Sequence, residues 1–139
     1  MGKSDTKANM KGVYILLASV SQSFTINVGA LGSIAFEKGL YAYVGSAQNN
    51  LQKRLKRHLR RNKQKFWHVD YLLACEAARV VAVFWKEGKK ELECETARKM
   101  GQFGFAVKGF GSSDCSCESH LFRVRSFDFL REDMYEITV

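Results

Sequence analysis

The stretch Gly12–Ser19, GVYILLAS, constrains the fold more than any other: it is apolar and β-branched throughout, is bounded by polar residues, and reads as a buried strand. Successive strand side chains alternate in direction, so Val13, Ile15 and Leu17 line one face and Tyr14, Leu16 and Ala18 the other. Two further runs have the same character, Leu40–Val44 and Ala78–Trp85, and on the first of them Tyr41 and Tyr43 point the same way. Between the first two runs, Phe24–Val28 and Ser33–Phe36 alternate apolar and polar residues around Gly29-Ala30-Leu31-Gly32, the pattern of a hairpin with one wet face.

The remaining periodicity is helical. From Asn50 to Asn62, Leu51, Leu55 and Leu59 recur every fourth residue, with Arg54 and His58 flanking that stripe one turn apart. Serine and asparagine between Gly45 and Asn50 offer caps for this helix. A second short helix is predicted over Val69–Glu76, with Leu72 and Leu73 in the core, and a third over Lys90–Gln102, burying Leu92, Thr96 and Met100. Phe103–Ser119 is rich in glycine, His120–Val124 reads as a strand, and Asp128–Glu136 as a short helix or an extended edge. The expectation is one α+β domain over residues 12–125, a small, mainly antiparallel sheet with an inserted hairpin and flanking helices. Residues 1–11 read as a disordered tail, and residues 126–139 as a C-terminal extension, packed on the domain or frayed.

Charge narrows the function classes. The net charge is +8, and eight of the 22 Lys and Arg fall between Gln48 and Val69 without an acid among them, which leaves 14 cations against 14 acids elsewhere. Concentrating the whole excess on one element is the footprint of a polyanion binder, because each neutralised phosphate releases condensed counterions. Lys53, Arg57, Arg60, Arg61, Lys65 and His68 are the candidate nucleic-acid contacts, with Phe66 and Trp67 beside them either stacking on bases or anchoring a helix. The bland alternative is a solvated basic face. No run approaches the roughly 18 apolar residues of a membrane span and no secretory signal is evident, so no membrane partner and a cytoplasmic location are expected.

The residues Gly12-Val13-Tyr14, Tyr43-Val44-Gly45, Arg54, His58 and Glu93 occur in the order of the GIY-YIG nuclease signature, and the chain resembles that superfamily from about Lys11 to Val124. It is most similar to a branch of short, uncharacterised GIY-YIG-like domains, through Tyr41–Ala47, Trp67–Leu73, Leu92–Glu95 and Gly109–Cys115; some of these are joined to DNA-repair glycosylases. The resemblance implies a metal-dependent endonuclease hydrolysing phosphodiester bonds in DNA rather than RNA, in repair or recombination, with a DNA-repair protein as a partner. On that reading Tyr14, Tyr43, Arg54, His58 and Glu93 are catalytic. Arg54 stabilises phosphate charge, Glu93 holds one Mg²⁺ or Mn²⁺, a tyrosine takes the proton of the attacking water and His58 orients or relays it. Glu91 and Glu95 compete with Glu93 for the carboxylate role.

Two departures accompany the resemblance. The Phe24–Phe36 hairpin lengthens the interval between Tyr14 and Tyr43 to about three times that of compact members. No asparagine follows Asn62, so Ser112, Ser113 or Asp114 would have to supply the hydrogen bonds of the family's downstream asparagine. Hence a nucleic-acid-binding module without turnover is the alternative function, and a partner-docking domain a third. Disulfides are not expected of Cys75, Cys94, Cys115 and Cys117. A zinc site is the rival cofactor reading, with Cys115, Cys117 and His120 completed by Cys75, Cys94 or His68; a serine-rich turn capped by Asp114 is the preferred reading of that segment.

Overall fold

The computed structural model describes residues 11–60, 65, 67–112 and 115–137. Residues 1–10 of the expected tail, with Arg61, Phe66, Ser113 and Asp114, therefore lie outside the described residues.

The chain is α+β. Among the described residues eight strands, β1 (Gly12–Val20), β2 (Phe24–Asn27), β3 (Ser33–Phe36), β4 (Gly39–Ala47), β5 (Ala78–Glu87), β6 (Gly104–Ala106), β7 (Leu121–Val124) and β8 (Tyr135–Ile137), are joined by three helices, α1 (Leu51–Leu59), α2 (His68–Leu73) and α3 (Glu91–Met100). Six strands form one antiparallel sheet in the order β6-β7-β4-β1-β5-β8, and β2 and β3 pair separately.

β1 takes a central place because it is apolar on both faces. Tyr14, Leu16 and Ala18 pack with Leu51 and Leu55 of α1, Val69 and Leu72 of α2 and Phe36 of the hairpin. Val13, Ile15 and Leu17 pack on the opposite side with Ala97 and Met100 of α3 and with Leu130 and Met134 near the C-terminus. The alternating hairpin is as expected, its two strands partly exposed along their length.

Both longer helices correct the four-residue stripes. In α1, His58 is buried and Leu59 is 46% exposed. In α3, Ala97 and Met100 are buried whereas Leu92 and Thr96 are only half-buried, the Thr96 hydroxyl donating to the Leu92 carbonyl at 2.7 Å. At about 100° per residue, seven residues return a helix to within about 20° of its starting direction and eight overshoot by about 80°. The seams on the sheet are therefore Leu51/Leu55/His58 and Glu93/Ala97/Met100, and each carries one ionisable side chain inward.

The glycine-rich segment contains β6, which pairs with β7 at the sheet edge, and the C-terminal extension packs on the domain: after a 3-10 turn at Asp128–Glu132, β8 pairs with β5. No helix among the described residues is long and apolar enough to cross a membrane.

Candidate active site

β1 and β4 run antiparallel with Tyr14 opposite Gly45 and Leu16 opposite Tyr43. The Tyr14 ring lies so close across Gly45 that a Cβ there would sit 2.5 Å from its Cζ and hydroxyl. Only glycine admits this crossing, which gives the Tyr43-Val44-Gly45 triplet a physical reason. Beyond Ala47 the chain turns at Asn50, which has left-handed φ 49° and caps α1 by accepting the Lys53 N–H at 3.0 Å.

α1 then lays Arg54 and His58 against the strands. A 2.7 Å hydrogen bond joins His58 Nε2 to the Tyr14 hydroxyl, and the Arg54 charge lies close enough to act on that phenol. Arg54 Nη1 donates to the Ser46 carbonyl at 3.0 Å, and the Ser46 hydroxyl donates to Glu93 Oε1 at 2.8 Å. Glu93 Oε2 lies 3.0 Å from His120 Nδ1, which also sits 3.2 Å from the Val44 carbonyl. Glu91 and Glu95 are exposed, so Glu93 is the carboxylate of this network.

Tyr43 completes the group. Its ring centroid is 6.5 Å from that of Tyr14, 6.2 Å from His58 and 6.4 Å from Phe110. Gly111, with φ 73°, packs against it where a Cβ would come within 3.1 Å of the ring.

Burial sets the electrostatics. Tyr14 is 1% and Tyr43 8% exposed. Desolvation raises both phenol pKa values; nearby Arg54 only partly opposes this, and for Tyr43 the Tyr14 and Glu93 charges add to it. Both phenols are thus neutral near pH 7. Burial pushes the Glu93 pKa up, but hydrogen bonds from His120 and Ser46 outweigh it and the net shift is downward, so this carboxylate is ionised.

The basic face has two parts. Lys53, Arg54, Lys56, Arg57 and Arg60, with Asn49 and Asn50, line a cavity of about 960 Å³ along α1. Lys53, Arg60 and Lys65 are exposed. Arg57 is committed inward as well, to Asp70 and to the ring of Trp67, whose centroid lies 4.4 Å from the Arg57 guanidinium carbon and 4.5 Å from that of Arg54. Trp67 is thus a stacking platform for two arginines at the start of α2.

His68 is also turned inward: its Nδ1 accepts the Gly111 N–H at 2.8 Å, and burial lowers its pKa. A neutral imidazole is needed to accept this bond. Its stabilising contribution is full above an unfolded pKa of about 6.5 and is lost as pH falls through the lower folded value. The urea midpoint is expected to fall on acidification in this window, and to fall less in His68→Gln, whose amide oxygen can accept without titrating.

Ser112 is buried, and its carbonyl accepts the Cys115 N–H at 3.3 Å. The side chains of Cys94, Cys115, Cys117 and His120 place all their ligand atoms within 4.8 Å of one another. Cys75, by contrast, points to the Tyr71 carbonyl of α2. The sequence reading placed neither Ser46 nor the Glu93–His120 pair in the site; Ser46 was visible only as the residue after Gly45.

An antiparallel α+β domain with a basic helix laid over buried tyrosines is the class these observations define. The chain belongs to the family described as Domain of unknown function DUF123, whose profile matches residues 13–138. No curated protein and no solved structure is significantly similar to it.

Proposed function

We propose that this domain is a metal-dependent endonuclease of the GIY-YIG kind, hydrolysing phosphodiester bonds in DNA in a cytoplasmic repair or recombination setting. The observation that carries this reading is the placement of Arg54. Its guanidinium lines the basic cavity and, in the same pose, donates to the carbonyl of Ser46, whose hydroxyl holds the Glu93 carboxylate, while its charge acts on Tyr14. A backbone drawn onto α1 by Lys53, Lys56 and Arg60 would have Arg54 in the same cavity, where it can donate two N–H groups to non-bridging phosphate oxygens.

Glu93 fits a hard divalent ion: it is ionised, and Mg²⁺ or Mn²⁺ asks for one or two carboxylates when phosphate and water supply the other oxygens. Bound there, the ion would polarise a phosphoryl oxygen. The protein's own part is proton handling. A tyrosine takes the proton of the attacking water only as phenolate, Tyr43 or Tyr14 beside it; the Tyr14–His58 hydrogen bond gives the Tyr14 proton an acceptor in His58, so that Tyr14 can first reach that state. Because burial holds both phenols neutral, phenolate forms only with added positive charge alongside.

That same burial favours a second reading, a nucleic-acid-binding module without turnover. The two separate on plasmid, single-stranded and branched DNA incubated with Mg²⁺, Mn²⁺ or chelator. Ion-dependent cutting that disappears in Arg54→Ala, Tyr43→Phe and Glu93→Gln supports the nuclease; cutting that survives all three sinks it. Salt-sensitive binding without cutting leaves the module, and no affinity at low salt leaves a partner-docking role. If α1 carries the phosphate contacts, Lys56→Ala weakens binding on all sequences and lowers the slope of log affinity against log salt by about one.

A further inference from the structure

The cluster beneath α3 is not needed by the hydrolytic reading, and its chemistry differs. Cys94 comes from α3, Cys115 and Cys117 from the loop after Phe110, and His120 from the residue before β7, so segments distant in sequence converge on one point. Tetrahedral zinc, with Zn–S near 2.3 Å and Zn–N near 2.0–2.1 Å, requires S···S edges of about 3.8 Å and S···N edges of about 3.6 Å. Ligand atoms that all lie within 4.8 Å of one another are near enough for small side-chain adjustments to bring all four to one ion, and Cys115 Sγ to His120 Nε2 is already 3.4 Å.

The histidine is also set in the right tautomer. Its Nδ1 faces Glu93 Oε2 at 3.0 Å and the Val44 carbonyl at 3.2 Å, both acceptors, so Nδ1 carries the hydrogen and the Nε2 lone pair is directed at the sulfurs. A carboxylate behind a ligating histidine is the usual outer partner in zinc sites. Three thiols and an imidazole are soft donors, which select zinc over the hard ions suited to Glu93 alone. A cavity of about 190 Å³ lined by Lys90, Glu91, Glu93, Cys94, Cys115 and His120 gives an ion access.

We propose that Cys94, Cys115, Cys117 and His120 bind one Zn²⁺ in a closed tetrahedral site. Four protein ligands leave no open position, so its role is structural: it ties α3 to the loop before β7 and, through His120, holds Glu93 at the Arg54 network.

The test is metal content and coordination, neither of which depends on DNA cleavage. Full-length protein, purified without chelator and dialysed, is expected to retain about one zinc per chain by plasma mass spectrometry. Co²⁺ exchanged into it should give the intense visible bands of tetrahedral thiolate coordination. Cys94→Ser and Cys117→Ser should lose the stoichiometric metal, Cys75→Ser should keep it, and Glu93→Gln should weaken zinc affinity roughly 10- to 100-fold. Circular dichroism shows whether each variant is folded, and where one is not, zinc-dependent protection of the wild-type thiols from alkylation gives the same answer. The proposal is overturned by wild-type protein that takes up no zinc even after reduction and zinc addition, by an octahedral cobalt spectrum, by a stable disulfide among the three cysteines, or by full zinc retention in Cys94→Ser. A protein that binds zinc and cuts no DNA leaves this site standing and removes only the nuclease.

Discussion

Arg57→Ala is expected to destabilise the fold by about 3–5 kcal/mol, the usual penalty for breaking a buried ion pair from one side. Its two terminal nitrogens donate to the two oxygens of Asp70, each at 3.0 Å, and Asp70 is fully buried while Arg57 is 18% exposed. Asp70 also accepts the Trp67 N–H at 2.9 Å, so one carboxylate holds both the start of α2 and the flank of α1. Truncation removes the bidentate partner of a carboxylate that water does not reach, together with packing on the Trp67 ring. Urea denaturation should show a lower midpoint with an unchanged slope. Asp70→Asn added to Arg57→Ala should cost less than the two single changes summed, because the neutral amide no longer needs a cation. If Arg57 served only as a surface phosphate contact, its removal would leave the midpoint within about 0.5 kcal/mol of wild type.

The basic helix therefore does two jobs that composition could not separate. Eight cations in one acid-free run announce a polyanion face, yet the acid that engages one of them is Asp70, just past the end of that run and on the next helix. Much of the rest was legible. The apolar character of β1 on both faces set its place in the sheet; Tyr14, Tyr43 and His58 meet through a hydrogen bond and ring contacts, and Arg54 and Glu93 are joined through Ser46. What was missed has a common cause. Counting by fours selected Leu59 and Thr96, whereas a flat sheet is met by positions i, i+4 and i+7. That seam places His58 and Glu93 inward, the property that lets them meet Tyr14 and Ser46. β6 escaped notice because Phe105 at its centre is exposed and its neighbours are small, so no buried face advertised it. The link from Glu93 to His120 joins residues far apart in sequence across a register that local patterns do not report.

Gly45→Ala is the second large effect, and it tests the strand crossing on which the tyrosine cluster is built. A methyl group at this position would sit 2.5 Å from Tyr14 Cζ and 2.8 Å from Cε1, well inside contact distance, and the ring is enclosed by the core with almost no exposed surface. The backbone of Gly45 is fixed by pairing between β1 and β4, so relief must come from the ring. Overpacking of this kind costs about 1–3 kcal/mol. Moving the ring also stretches the 2.7 Å bond to His58, so any activity that depends on this geometry should fall further than stability does. Tyr14→Ala removes the obstacle at a cost of its own, about 3–5 kcal/mol if it behaves as a buried aromatic. In the Tyr14→Ala background, Gly45→Ala should then be close to neutral, because the new methyl occupies space the ring has vacated. An alanine at position 45 that costs the same with and without Tyr14 would mean that the glycine serves its own backbone and not the ring.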